Sequence, residues 1–96
     1  MSKILEIQIL PVPESDVTVP KGSTALSVAL RKRSAQPDYV TALYFKGDPA
    51  APVVRRHVSI RSAGMDLTGQ EGRFLGSVTM YPTDDVVLHV YVRDET

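Results

Sequence analysis

Residues 73–92, RFLGSVTMYPTDDVVLHVYV, constrain the fold more than any other stretch of the chain. Two runs rich in strand-forming residues flank Pro82-Thr83-Asp84-Asp85, a cluster of turn formers, and this is the pattern of an antiparallel hairpin. Alternation places Phe74, Gly76, Val78 and Met80 on one face of the first arm, and Val86, Leu88, Val90 and Val92 on one face of the second. A lone two-stranded hairpin is marginal in water, so the preceding residues must supply strands that cover the apolar face.

At 96 residues the chain has room for a single domain, expected to span residues 1–96. A hydrophobic content of 43% is too high for a disordered chain carrying 23% charged residues. There is no cysteine, so a disulfide framework and a thiolate metal site are both excluded, and a cytosolic setting is the default. Glu6 and Gln8 interrupt the short apolar run near the N-terminus, which is unlike a signal peptide, and no apolar stretch reaches membrane-spanning length.

The formal net charge is zero, which argues against a protein whose main task is coating nucleic acid. Its distribution is uneven. Residues 1–20 hold one base and three acids, residues 81–96 one base and four acids, and residues 21–80 nine bases and four acids. Acidic ends thus enclose a basic centre. They either neutralise it across neighbouring strands or leave a local anion-binding face.

The remaining segments read as strands and turns. Residues 4–10 alternate, with Leu5, Ile7 and Ile9 opposed to Glu6 and Gln8. The prolines Pro11 and Pro13 turn the chain, and Val17 and Val19 face inward on a second strand that is expected to pair with the first as a hairpin. Residues 23–33 are ambiguous. As a strand they turn Leu26, Val28 and Leu30 inward; as a helix they align Ala25, Leu26, Ala29 and Leu30, which would give the element order of a ubiquitin-like β-grasp. Residues 39–45 form a β-branched and aromatic strand. Residues 53–60 form another, with Val54, Val58 and Ile60 opposed to Arg55, His57 and Ser59. Residues 61–71 read as a long surface loop, a place where function tends to reside. The expected fold is all-β, a small antiparallel barrel or two-layer sandwich of about six strands, with the β-grasp as the alternative.

No catalytic pattern is present. His57 and His89 lie on separate strands, and nucleophile elbows, zinc-protease helices, phosphate loops and dinucleotide fingerprints are all missing. Asp84-Asp85 suits a turn better than a metal pair. The expectation is a non-enzyme without metal or cofactor. Binding has more support. Arg31-Lys32-Arg33 closes one strand, and Arg55, Arg56, His57 and Arg61 cluster on another. Such residues serve as solvated edge charges or as phosphate-recognising guanidiniums. In the second case Arg55, Arg56, His57, Arg61 and Arg73 are the candidate ligand contacts, with Tyr44 or Tyr39 to stack on a base. A small nucleotide or a host protein is then the expected partner. A nucleic acid is compatible but less favoured, and self-association would cap open sheet edges.

The segments Val19-Pro20-Lys21-Gly22-Ser23, Leu26-Ser27-Val28, Arg73-Phe74-Leu75-Gly76-Ser77-Val78 and Leu88-His89-Val90-Tyr91 resemble a family of small phage and prophage proteins. Members of that family read LPKGA-ILSVQ in the middle, and YIGTFQL followed by VFHVFE at the end. The resemblance spans nearly the whole chain, but its motifs are strands and turns, and the family is a domain of unknown function. It implies an all-β fold, with residues 23–33 as a strand, and a phage origin, hence a host cytoplasm as the place of action. For a small non-catalytic phage protein it suggests stoichiometric host takeover or counter-defence, by blocking a host protein or sequestering a nucleotide immune signal. Virion decoration and an OB-like nucleic-acid-binding module are the alternatives. Where members carry a Gly-Thr-Gly-His-Pro loop, this chain has Arg61-Ser62-Ala63-Gly64-Met65-Asp66-Leu67, so a role built on that loop histidine does not transfer.

Overall fold

The computed structural model describes residues 1–32, 39–79 and 86–94. Seven antiparallel strands follow in chain order: β1 (Lys3–Ile9), β2 (Glu14–Pro20), β3 (Thr24–Lys32), β4 (Tyr39–Gly47), β5 (Val53–Arg61), β6 (Arg73–Thr79) and β7 (Val87–Val92). They form a three-stranded sheet in the order β1-β4-β3 and a four-stranded sheet in the order β2-β5-β7-β6. The architecture is a two-layer sandwich rather than a closed barrel. The turn expected at residues 82–85, the loop at residues 34–38, Arg33 and Met80 lie outside the described residues.

Residues 24–32 are a strand, which overturns the β-grasp alternative. A helix there would leave β4 without its second neighbour, whereas β3 pairs with β4 from Thr24↔Lys46 to Lys32↔Tyr39. The inward set differs from simple alternation, because the register shifts between Ala25 and Ser27. That bulge turns Ala25 and Val28 toward the core and leaves Leu26 exposed.

The first hairpin expected from the sequence does not form. β1 pairs with β4 and β2 pairs with β5, so residues 10–13 carry the chain from one sheet to the other. Pro11 and Pro13 have no amide hydrogen to give a ladder, and the tight turn is closed by Val12 N–H donating to the Leu10 carbonyl at 2.8 Å. The amide of Ile60 then donates to the Pro13 carbonyl at 2.9 Å and starts the β2–β5 pairing.

The closing hairpin does form, as β6 and β7, but with a register shift between Phe74 and Gly76. Leu75 therefore packs on the core while Phe74, expected inward, is 53% exposed and lies edge-on to Tyr91 with ring centroids 5.5 Å apart. The core between the sheets is built on Phe45, Leu43, Val19, Val58, Val90 and Val92, all fully buried, each contributing about 1.5–3 kcal/mol by its burial. The sheets abut where β3 meets β6. A methyl on Gly76 would stand 3.0 Å from Val28 Cγ1, so glycine sets that approach.

Candidate functional site

β5 distributes the candidate basic residues. Strand alternation sends Arg55, His57, Ser59 and Arg61 to the outer face of the four-stranded sheet, and Arg56 inward between the sheets. On the outer face the bases meet acids supplied by β2. His57 Nδ1 is hydrogen-bonded to Asp16 at 2.9 Å and its Nε2 to Glu14. With a carboxylate at each ring nitrogen, the doubly protonated imidazolium is favoured, and the His57 pKa rises, Asp16 being the larger cause and Glu14 the next. Ser59 Oγ donates to Glu14 at 2.9 Å, and Arg61 donates to Glu14 and, at 3.1 Å, to Glu71. The Arg61 hydrogen bond is the main reason why Glu14 is held down to about 2. Glu71 is also held down to about 2, first by the Thr68 amide, in the loop that this carboxylate organises.

Tyr44 lies elsewhere, on the outer face of the three-stranded sheet, where its hydroxyl donates to Glu6 at 2.9 Å beside an Arg31–Glu6 ion pair. The hydrogen bond to Glu6 raises the Tyr44 pKa. The acidic N-terminal strands thus neutralise much of the basic centre: Glu6 pairs with Arg31, and Glu14 with Arg61. The side chain of Tyr39 lies outside the described set.

Two of the candidate arginines do come together. Arg56, only 4% exposed, extends into a cavity of about 130 Å³ at one end of the sandwich, and Arg73, on the first residue of β6, lines the same cavity. Ser23, Leu75, Val92 and Asp94 complete much of its wall. Arg56 is held firmly. Its Nε donates to the Arg93 carbonyl, its Nη1 donates to the Ser23 carbonyl at 3.0 Å, and its guanidinium lies 5.7 Å from the Phe45 ring centroid. Arg73 makes a longer bond, 3.4 Å, to the Ala25 carbonyl. Among the described residues the one carboxylate lining the cavity is Asp94, 3.6 Å from Arg56 Nη2.

Local structure explains the shape of this cavity. The Pro20-Lys21-Gly22-Ser23 turn is closed by the Ser23 amide and Oγ, which donate to the Pro20 carbonyl at 3.1 and 2.6 Å, and the Ser23 carbonyl receives Arg56. On the opposite wall Gly72, at φ 94°, brings the start of β6 against the end of β7, and a methyl there would lie 2.7 Å from the Val92 oxygen. Two guanidiniums facing a small polar space suit a phosphate or carboxylate, which accepts paired N–H bonds. Asp94 was missed by sequence reasoning, since a C-terminal acid carries no pattern. Sequence reasoning groups Arg56 with Arg55, His57 and Arg61, whereas strand alternation separates it from them and turns it to the side of Val54, Val58 and Ile60.

A second cavity, of about 250 Å³, lies between Ser62, Ala63, Val86, Val87 and His89. At its side Ser77 Oγ is hydrogen-bonded to His89 Nδ1 at 2.6 Å, a pair that resembles two of the three members of a nucleophilic triad, while Glu14 and Asp16 are both bound to the other histidine, His57. Among the described residues no group of three or more His, Cys, Asp or Glu side chains could hold a metal ion. No helix among them is long and apolar enough to cross a membrane.

The fold and this cavity define a small all-β sandwich domain with an arginine-lined recess between its sheets. The chain belongs to the family described as a domain of unknown function, DUF7352, whose sequence profile matches residues 1–96. Comparison with curated proteins and with solved structures gave no match.

Proposed function

We propose that this domain is a stoichiometric binding protein, not a catalyst, and that it holds a small anionic ligand with Arg56 and Arg73. The observation that carries this reading is the pair of guanidiniums on one cavity of about 130 Å³ that, among the described residues, only Asp94 partly neutralises. Arg56 is positioned in advance by two carbonyls, so little side-chain entropy is lost when an anion arrives. The volume suits a phosphate group or a carboxylate, and the rest of a nucleotide would project from the mouth past Arg73. Arg55, His57, Arg61 and Tyr44 lie outside this recess, and three of them are engaged by the protein's own carboxylates.

The finer form of the proposal places the domain in a phage or prophage. There it acts in the host cytoplasm in host takeover or counter-defence, by sequestering a phosphorylated nucleotide signal or, with the same recess, gripping an acidic group on a host protein. Isothermal titration with inorganic phosphate, a nucleoside monophosphate and a cyclic dinucleotide tests the ligand class. Arg73→Gln should weaken binding about 10- to 100-fold, the loss of a hydrogen bond to a charged group, while leaving the melting temperature nearly unchanged. Recovery of a nucleotide from the heat-denatured protein would support the sponge reading. Absence of any anion binding at millimolar concentration would end it. Abundance in purified virions would point instead to decoration.

A further inference from the structure

Among the described residues four strands lie at sheet edges: β1 and β3 in one sheet, β2 and β6 in the other. Native edges carry devices that discourage pairing with another chain, namely bulges, prolines and charges. β3 has a bulge between Ala25 and Ser27, and β6 has one between Phe74 and Gly76. β2 ends in Pro20, which has no amide hydrogen to give a further strand. β1 has neither device of backbone. Its register with β4 is unbroken from Lys3 to Ile9, it contains no proline, and its central charge, Glu6, is turned across its own sheet to Arg31 and Tyr44. Its inward residues Leu5, Ile7 and Ile9 are only half-buried, and the flanking Ile4 and Leu10 are 71% and 69% exposed.

We infer that β1 is a homodimerisation edge, and that its partner is β1 of a second copy of this chain, paired antiparallel about a dyad at Ile7. The residue pattern is self-complementary in this register. Ile7 faces Ile7, Leu5 faces Ile9, Ile4 faces Leu10, and Glu6 faces Gln8 on both sides of the dyad. Directly opposed residues share a face, so the inward apolar row of one copy continues into that of the other and two three-stranded sheets become one of six strands. A shift by one residue would put inward positions opposite outward ones. A dyad at Glu6 instead would bring two carboxylates face to face, and one at Leu5 would set Glu6 against Ile4. Only the Ile7 register gives each of these residues a partner of matching chemistry, and it covers the most exposed apolar residues of the strand.

Sedimentation velocity at tens to hundreds of micromolar tests this, with an expected mass of twice the 10.5 kDa chain. Gln8 is exposed and outside the core, so its substitution probes the interface without threatening the fold. Gln8→Glu places like charges opposite each other twice and should weaken the dimer about tenfold; Gln8→Lys places Glu6 opposite a cation and should tighten it by a similar factor. Since the chain has no cysteine, Ile7→Cys introduces a single thiol that faces its symmetry mate, and mild oxidation should give a covalent dimer that Ile4→Cys does not. A wild-type chain that stays monomeric at these concentrations overturns the inference. So does a dimer that is indifferent to both Gln8 substitutions and is not cross-linked through residue 7.

Discussion

Arg61 Nη2 lies 3.1 Å from Glu71 Oε2, with 7% of the arginine side chain and 5% of the carboxylate side chain exposed, and this contact ties the last residue of β5 to the far end of the loop that leads into β6. Glu71 also accepts the amides of Thr68 and Gly69, at 2.7 and 3.0 Å, so one carboxylate closes the loop and anchors it to the sheet. Removing it would leave a buried guanidinium short of a partner and two amides without acceptors. Glu71→Ala is therefore expected to lower the melting temperature by roughly 5–10 °C, and Glu71→Gln, which keeps an acceptor oxygen, by less. Thermal unfolding followed by circular dichroism measures both.

The same contacts set the response to acid. Glu14 and Glu71 are each held down to about 2 from an ordinary 4.5, by the Arg61 hydrogen bond in the first case and the Thr68 amide in the second. A carboxylate with a depressed native pKa binds protons more readily in the unfolded chain, so its contribution is complete above pH 4.5 and is lost as pH falls toward 2. Urea midpoints should decline steeply between pH 5 and 2.5. A flat profile over that range would contradict the network.

His57 should act in the opposite direction. Its pKa is raised above 6.5 by Asp16 and Glu14, so the folded state holds the proton more tightly. That stabilisation is fully present below pH 6.5 and disappears as pH rises through the raised native value. The melting temperature is expected to fall by a few degrees between pH 6 and 9, and His57→Gln should flatten the dependence. Nuclear magnetic resonance titration of the imidazole gives the native pKa directly.

Gly72 and Gly64 offer a matched comparison. Both have positive φ, 94° and 90°, but a methyl at residue 64 meets nothing within 4 Å, whereas one at residue 72 would stand 2.7 Å from Arg93 Cα and the Val92 oxygen. Gly64→Ala should cost about 1 kcal/mol, from backbone conformation alone. Gly72→Ala should cost about 2 kcal/mol or more, since β6 and β7 must separate at the wall of the arginine cavity. Equal losses would show that the close approach is absent in solution.

Asp94 is expected to oppose anion binding, because it lines the cavity and lies 3.6 Å from Arg56 while its side chain is 81% exposed. Asp94→Asn removes that charge and keeps the shape. Phosphate affinity should rise about three- to tenfold at low salt, with the gain shrinking as ionic strength increases. Titration at two salt concentrations distinguishes this from a packing effect.

Much of the architecture was legible in local pattern. Alternation in residues 4–10, 53–60 and 86–92 marked strands and their inward faces, because a pleated strand with one buried side must repeat every two residues. Position-dependent departures were not legible. Phe74 and Leu26 left their expected faces through bulges, each of which inserts a residue to fit a neighbouring strand, and nothing in a single strand announces what its neighbour requires. Of the candidate site, the arginines were visible as residue types. Arg56 and Arg73 share a cavity because β5 and β6 flank β7 in one sheet while the start of β3 covers the space beside them, and Asp94 reaches it from just beyond the end of β7.

By itself, then, the sequence determined most of the strand segments, most of their apolar faces and the charge balance between acidic ends and basic centre, since these depend on side-chain period and composition within a few residues, while period alone left residues 23–33 open between strand and helix. Tertiary structure alone decided that residues 10–13 switch sheets instead of closing a hairpin, that Tyr44 and Arg61 are spent on the protein's own carboxylates, and that Arg56 and Arg73 share one recess. These outcomes turn on which strands pair, and pairing is settled by the free energy of the whole core, to which residues far apart in the chain contribute together.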